Sequence, residues 1–272
     1  MAGRGRGRGR GTSSSENRPG PTSNGIPSPK PQSEESKEPI APSPVDLFDD
    51  LCGDFRSLKL TSSSDLITDL SKRAKVLTTS DDQYLQVIDI LYQKVFGENE
   101  FATKIAGLGN ELSSLDEVGG KFRSCLLKRV QEHYKNRENL KKNSASEWTG
   151  LLCLICEIFK VLRIRGSPLK PLTGPIYEMF GELLLNQDDC EQIECFHRQF
   201  RNVGKMLLDF DKVKMEELAC KIRDSILSEK SNAETRCLLT ELLELQASSW
   251  SLNPEVERFY SDAMADILAS QS

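Results

Sequence analysis

The stretch Trp148–Leu162, WTGLLCLICEIFKVL, is the most apolar run in the chain. Its apolar side chains fall on nearly every side of a helix, and the run is shorter than the roughly 20 residues that a membrane-spanning helix needs. They are Trp148, Leu151, Leu152, Leu154, Ile155, Ile158, Phe159 and Leu162. A helix that is apolar all round lies at the centre of a larger body. The stretch therefore predicts a central buried helix on which other helices pack.

Amphipathic stripes continue the helical pattern on both sides of this run. Apolar residues recur every three or four positions within 66–77, 84–95, 101–112, 122–130, 176–183, 193–207, 215–226, 238–245 and 256–267. This is the period of amphipathic helices, and no run of strand-like alternation interrupts it. Short polar turns between the segments favour antiparallel neighbours. We predict an all-α fold of about ten helices, stacked as about five antiparallel pairs in a HEAT-like solenoid, with a closed globular bundle as the alternative.

Local signals place several helix boundaries. Ser80 and Gln83 form a capping box, in which each side chain takes up an orphan amide of the first turn. Gly97 is expected to end the helix that begins at this capping box. Pro175 and Pro254 are expected at first helical positions, where the missing amide costs nothing.

Three segments differ in composition. Residues 1–45 are rich in Arg, Gly, Ser and Pro, have almost no apolar side chains, and are predicted to be disordered because they cannot bury a core. Residues 46–61 carry apolar residues at spacings of three and four, which indicates a short helix or a linear motif that folds on a partner. Residues 62–269 contain no Pro- or Gly-rich linker and are predicted to form one helical-repeat domain.

The charge of the chain is unevenly spread. Residues 1–45 carry seven basic and four acidic groups, a net charge of +3. Since the whole chain has a net charge of −5, the remaining residues carry −8. The basic tail begins with alternating Arg and Gly, at Arg4, Arg6, Arg8 and Arg10. Guanidinium groups on a flexible backbone can contact phosphates or stack on bases, which indicates RNA contact. A solubilising tail without a specific ligand is the alternative.

A second basic stretch lies just before the central apolar run. It comprises Lys128, Arg129, Lys135, Arg137, Lys141 and Lys142, and Arg163, Arg165 and Lys170 are candidates to extend it. Since Lys128, Lys135 and Lys142 are seven residues apart, we expect them near one helix face. Few apolar residues separate Val130 from Trp148, so this helix end is expected to project into solvent. The stretch indicates a surface for phosphate or an acidic partner, or a plain solvated face.

Enzymatic chemistry finds little support in the sequence. The two histidines, His133 and His197, stand among charged residues and are expected to be solvated. The Arg-Gly run follows no strand and opens no helix, so it lacks the context of a phosphate-binding loop. We predict no catalysis and no cofactor.

The eight cysteines show no disulfide framework, which indicates reduced thiols. Cys153 and Cys156 form a C-x-x-C pair inside the apolar run, where cysteine behaves as a small buried hydrophobe. A zinc site would need further ligands such as Cys190, Cys195 or His197, and a redox pair would need an exposed thiol at a helix start. No secretory signal or membrane span is evident. We expect a cytoplasmic protein, with the nucleus as a second location.

The run CLLKRVQEHYKNRENLKKNSASEWTGLLCLICEIFKVLRI, residues 125–164, resembles the middle domain of eukaryotic initiation factor 4G. PLTGPIYEMFGELL and LLTELLELQASSW are similar to the later helices of that family, so the resemblance covers about Ser62–Tyr260. It is strongest to small single-domain members that interact with the histone mRNA stem-loop-binding protein, and next to those that interact with the poly(A)-binding protein.

This resemblance implies five antiparallel helix pairs and a non-catalytic adaptor. Its partners would be translation initiation factors and an mRNA-bound protein of the stem-loop-binding or poly(A)-binding type. A homodimer is left open, and the Arg-Gly tail departs from the pattern of the small members.

Overall fold

The computed structural model describes residues 43–114 and 119–271, and these residues are almost entirely helical. The helices are α1 (Pro44–Ser57), α2 (Ser64–Leu77), α3 (Asp81–Gly97), α4 (Phe101–Ser114), α5 (Gly119–Lys135), α6 (Arg137–Asn143), α7 (Ala145–Val161), α8 (Thr173–Leu183), α9 (Cys190–Phe210), α10 (Lys212–Leu227), α11 (Ala233–Ala247) and α12 (Pro254–Gln271). A two-stranded hairpin of β1 (Arg163–Ile164) and β2 (Ser167–Pro168), followed by a 3-10 helix (Lys170–Leu172), joins α7 to α8.

The helices stack in two layers. In one layer α2, α4, α7, α9 and α11 each pack on the next, and in the other α1 packs on α3, α3 on α5, and α8 on α10. Consecutive helices pair across the layers as α1/α2, α3/α4, α5/α7, α8/α9 and α10/α11. The predicted all-α solenoid of about five pairs is therefore confirmed. In the second layer the connection of residues 163–172 lies between α5 and α8.

Helix α7 is the centre of the core, as its composition predicted. Every residue from Trp148 to Phe159 is buried, and α7 packs against α3, α4, α8 and α9. Trp148 and Phe159 are fully inaccessible to solvent. Burial of such side chains contributes roughly 1.5–3 kcal/mol each, so this helix is expected to dominate the stability of the domain.

The N-terminal helix begins inside the stretch predicted to be disordered. The Ser43 hydroxyl accepts the Asp46 amide, the Asp46 carboxylate accepts the Ser43 amide, and Pro44 occupies the first turn. These caps start α1 at Pro44, which makes Pro44 and Val45 helical. Residues 46–61, for which a helix or a linear motif was expected, thus include most of a helix that buries four side chains against α2 and α3. These are Phe48, Leu51, Cys52 and Phe55.

All ten helices predicted from apolar stripes are present, and the described residues add α1 and α6. The capping box at Ser80, the stop at Gly97 and the start at Pro254 are confirmed. Pro175 was expected at the first position of its helix, but α8 begins two residues earlier, at Thr173. The preceding 3-10 turn leads directly into the helix, and Pro175 still lies in the first turn, where its missing amide is tolerated.

The expectation of one long basic helix projecting into solvent is wrong. The helix ends at Lys135, and Asn136 turns the chain so that α6 begins at Arg137. Asn136 accepts a hydrogen bond of 2.6 Å from the Asn139 side-chain amide, and Leu140 is buried where α6 packs on α7. A residue whose side chain bonds to nearby groups favours such a turn over a continuing helix. Lys142 therefore lies on a different helix from Lys128 and Lys135.

Candidate functional site

A groove of about 680 Å³ opens between α5 and the connection to α8. We call it the α5–α8 groove. One wall is a single face of α5, formed by Ser124, Leu127, Lys128, Val130, Gln131, Tyr134 and Lys135. The other wall is Leu169, Pro171, Leu172 and Pro175, and Ile155 of α7 lies beneath. Its volume exceeds that of another open site of about 500 Å³ between α8 and α10.

The floor of the groove is apolar and its only charges are positive. Val130, Ile155, Leu169 and Leu172 are buried, whereas Lys128, Gln131 and Lys135 are exposed. No carboxylate lines the groove, although the chain as a whole carries a net charge of −5. The site combines a surface that excludes water with two cations that remain in solvent, which suits a partner with apolar and acidic side chains.

The arginines of the basic stretch are used inside the protein. Arg129 binds Asp89 of α3 at 2.7 Å and Glu132 at 2.8 Å. Burial opposes the charge of Arg129, but these two carboxylates raise the pKa of the guanidinium above its ordinary value. Arg129 therefore links α5 to α3 and is not available as a free cation for a ligand.

Arg137 has a similar internal role at the start of α6. Its Nε atom lies 3.3 Å from Glu182 and its Nη2 atom 3.6 Å from Glu178, both on α8. Burial again opposes the charge, and Tyr134, Glu182 and Glu178 raise the pKa of Arg137. Lys141 lies 3.8 Å from Glu182 and covers the Trp148 ring. Arg137 and Lys141 therefore hold α6 against α8 and α7.

Tyr134 is held at the end of the groove by its neighbours. Its hydroxyl donates a hydrogen bond to Glu178, and the Arg137 guanidinium lies 4.4 Å from the centre of its ring. Burial, together with the Glu178 carboxylate, raises the pKa of Tyr134. One face of the ring is thus occupied by a cation from the same chain.

The ten predicted contact residues therefore divide into groups. Lys128 and Lys135 line the groove, Arg129, Arg137 and Lys141 form internal ion pairs, and Lys142 is exposed on α6. Arg4, Arg6, Arg8 and Arg10, with the tail to which they belong, lie outside the described residues.

The three residues considered as an extension of the basic patch have separate positions. Arg163 donates to the carbonyls of Phe159 and Leu162 at the end of α7, and Arg165 is exposed in the hairpin turn. Lys170 is exposed beside Pro171, on the connection that forms the second wall of the groove.

The apolar wall contributed by the α7–α8 connection was missed by sequence reasoning. Its four residues lie in SPLKPLTGP, which shows no helical or strand period. The only available signal was the density of Pro and Leu in a short turn. Leu169 and Leu172 are buried next to a gap in the helix layer, which depends on tertiary packing and not on local pattern.

Both histidines are less exposed than expected. The His133 ring stacks on Tyr92 at 4.5 Å, and burial and the nearby Arg129 charge lower the pKa of His133. His197 Nε2 lies 2.8 Å from Glu241, with side chains 17% and 12% exposed. Both residues join helices, α5 to α3 and α9 to α11, so the prediction of solvated histidines is wrong.

All eight cysteines are free thiols, and Cys153 and Cys156 are buried as predicted. Cys153 and Cys195 of α9 lie 3.7 Å apart between their sulfur atoms, and the hydrogen bond between them, together with burial, raises the pKa of Cys153. Cys220 is exposed on α10. Within residues 43–114 and 119–271, no three His, Cys, Asp or Glu side chains converge as a metal site would require.

A second, smaller cavity of about 150 Å³ lies on the other side of α7, near α4 and α9. We call it the α7–α9 cavity, and it is lined by Asn99, Glu100, Ala102, Thr103, Cys153, Glu157, Arg198, Gln199 and Asn202. Glu157 is only 6% exposed, and one of its oxygens accepts the Asn202 amide at 2.7 Å. Its other oxygen is buried without a hydrogen-bond partner in the described structure.

The helices of the described residues include none that is both long and apolar enough to cross a membrane.

The fold defines a helical-repeat protein with an open, apolar groove beside α5. The sequence profile of the MIF4G domain matches residues 52–249, which covers most of the helical region. The chain belongs to the MIF4G-domain family.

Individual relatives share part of their length with the chain. It is 30% identical over 206 residues to a Xenopus tropicalis protein, CBP80/20-dependent translation initiation factor, covering 74% of this chain and 35% of that protein. It is 34% identical over 151 residues to MIF4G domain-containing protein A of Danio rerio, covering 53% of this chain and 68% of the relative. The human MIF4G domain-containing protein is 31% identical over 150 residues, with coverage of 53% and 67%. The chain thus spans about a third of the frog initiation factor.

Proposed function

We propose that the chain is a non-enzymatic adaptor in mRNA translation, which bridges an mRNA-bound protein to translation initiation factors. The observation that carries this proposal is the MIF4G-domain match across most of the helical region, joined by similarity to a protein named as a translation initiation factor. The mRNA-bound protein would be of the stem-loop-binding or poly(A)-binding type. An adaptor of this kind would act in the cytoplasm, and also in the nucleus where mRNA is first bound.

The structure supports this proposal through the kind of surface it presents. Stacked helix pairs form an extended surface on which separate partners can bind at separate repeats. The α5–α8 groove is open, largely apolar and free of paired catalytic groups, as expected for a site that binds a protein segment.

Affinity purification of the tagged full-length chain, with and without ribonuclease, tests the proposal. We expect initiation factors and one mRNA-binding protein to be recovered after ribonuclease treatment, because the contacts are between proteins. Loss of all translation proteins on ribonuclease treatment would contradict the adaptor role. Size-exclusion chromatography with light scattering on the same material would show whether the adaptor is a homodimer.

Direct RNA binding is a second candidate, favoured by the Arg-Gly run at residues 4–10 together with the exposed Lys128 and Lys135. RNA affinity should then fall steeply with salt, because each phosphate contact releases a counterion. Deletion of residues 1–11 should remove most of that affinity. Tight RNA binding at physiological salt by the deleted chain would show that the helical domain itself is the RNA-binding surface.

A further inference from the structure

We infer that the α5–α8 groove binds an acidic peptide segment of a partner, with an apolar side chain between two carboxylates. This inference rests on the proposed adaptor function and specifies the chemistry of the partner at one site. The apolar side chain would lie over Leu127, Val130 and Ile155, and the carboxylates would reach Lys128 and Lys135.

The distance between the two lysines constrains the partner. Lys128 and Lys135 are seven residues apart on α5, which at 1.5 Å per residue places them about 10 Å apart along the helix axis. A peptide in the polyproline II conformation rises about 3.1 Å per residue with three residues per turn, so carboxylates at positions i and i+3 lie on one face and match this spacing. In a helical segment the matching positions are i and i+7.

The charges of the groove disfavour the Arg-Gly segment at residues 4–10 as its ligand, whereas the acidic stretch at residues 33–41 is a competing occupant that the experiment must distinguish. Both charged residues that line the groove are lysines, and the tail carries arginines at positions 4, 6, 8 and 10. Like charges would repel, so the Arg-Gly segment is left for another partner. An acidic segment gains from both lysines, which no carboxylate lining the groove neutralises.

The groove is also poorly suited to RNA. Nucleic-acid sites use arginine forks on phosphates and exposed aromatic faces for base stacking. Here Arg129 and Arg137 are bound to carboxylates of the same chain, and Tyr134, the single aromatic residue lining the groove, is covered by Arg137 on one face. The apolar floor that remains favours a peptide side chain over a sugar-phosphate backbone.

A photo-crosslinking amino acid at Gln131 tests the inference, because Gln131 is exposed between the two lysines. The same amino acid at Glu217, exposed on α10, is the matched control position. The full-length chain would be crosslinked in ribonuclease-treated cell extract, and the attached peptides identified by mass spectrometry. We expect peptides with an apolar residue between carboxylates at i and i+3 or i and i+7, obtained from position 131 and not from 217.

Charge reversal provides the second arm of the experiment. Lys128→Glu with Lys135→Glu should lower the crosslinking yield at least tenfold. Lys205→Glu with Lys230→Glu makes the same change in net charge at exposed sites outside the groove and should leave the yield unchanged. If the groove variant misfolds by circular dichroism, the peptide sequences from the unmodified surface still decide the question.

Several results would overturn the inference. They are crosslinks to RNA, to a second copy of the chain, to residues 33–41 of the same chain, or to peptides without carboxylates. An absence of product at position 131 would also overturn it, as would a yield that charge reversal leaves unchanged. If initiation factors still copurify in that case, the adaptor function stands and only the assignment of the groove fails.

Discussion

The two sides of α7 support different surfaces. Ile155 faces the α5–α8 groove, where its neighbours are Leu169, Leu172 and Val130. Cys153 and Glu157, two residues before and after it, line the α7–α9 cavity with amides and a second carboxylate. A step of two residues turns a helix by about 200°, so these side chains point in opposite directions.

This difference shows that one buried helix can supply the apolar floor of a groove and one side of a polar cavity at once. Ile155 contributes to stability through burial, and no polar group beneath the groove competes with an apolar ligand. Glu157 contributes less, because a buried carboxylate loses its hydration and only one of its oxygens has a partner. The following experiments test this contrast in order of expected effect.

Ile155→Ala is the most severe test of the groove side. Ile155 is completely buried, and its truncation should lower the free energy of unfolding by about 2–5 kcal/mol. Urea denaturation would measure the loss, with Val213→Ala on exposed α10 as the control that should change stability by less than about 0.5 kcal/mol. A loss for Ile155→Ala as small as that of the control would mean that the groove floor is not part of the core.

Gly150→Ala tests the cavity side of the same helix. An added methyl group would lie 3.0 Å from the Val95 carbonyl and 2.9 Å from the Asn99 side chain, so α7 could not stay this close to the α3–α4 turn. We expect a loss of about 1–3 kcal/mol in the free energy of unfolding. Gly53→Ala, where nothing lies within 4 Å, should instead stabilise α1 by about 0.5–1 kcal/mol. Equal effects at the two glycines would contradict this packing.

Arg129 and Lys128 are neighbours on α5 with different expected roles, Arg129 in the fold and Lys128 in binding a partner. Arg129→Ala removes the partly exposed ion pairs to Asp89 and Glu132 and should cost about 1 kcal/mol at low salt, less at high salt. Lys128→Ala should leave stability within about 0.5 kcal/mol and reduce partner recovery. Thermal unfolding and copurification of the two variants measure both effects. The reverse pattern would assign Lys128 to the fold and Arg129 to the ligand.

The smallest effect concerns His133, on the side of α5 opposite the groove. Burial and Arg129 lower the pKa of His133, so the folded state binds fewer protons than the unfolded state as pH falls below 6.5. The contribution of His133 to the free energy of unfolding is present above the pKa that His133 has in the unfolded chain. It is lost as pH falls through the lower pKa that His133 has in the folded protein. Urea unfolding between pH 5 and 8 should show a shallower decline for His133→Gln than for the unchanged chain. Identical pH profiles would show that His133 is solvated after all.

Much of the fold could be predicted from the sequence, because α7 and the nine apolar stripes around it depend only on local period. The break at Asn136 could not, since Lys128, Lys135 and Lys142 keep a regular spacing through it. The turn is stabilised by contacts such as Arg137 with Glu182, which are 45 residues apart. Local pattern carries no information on such a pair.

The candidate site was predicted in part. Lys128 and Lys135 were identified as exposed cations, but Arg129, Arg137 and Lys141 were not separable from them, because their acidic partners lie on other helices. The apolar wall at Leu169 and Leu172 follows from the packing of an irregular connection between α5 and α8. Sequence reasoning thus found the charges of the groove and missed its second wall.

Tethering the chain to a reporter mRNA tests the central claim most directly. The chain would be fused to an RNA-binding coat protein and the reporter would carry the matching hairpin, so that no natural mRNA-binding partner is needed. The account predicts that reporter protein per mRNA rises, that Lys128→Glu with Lys135→Glu abolishes the rise, and that Lys205→Glu with Lys230→Glu retains it. An unchanged output, or the same output from both double variants, would contradict a translation adaptor that acts through the α5–α8 groove.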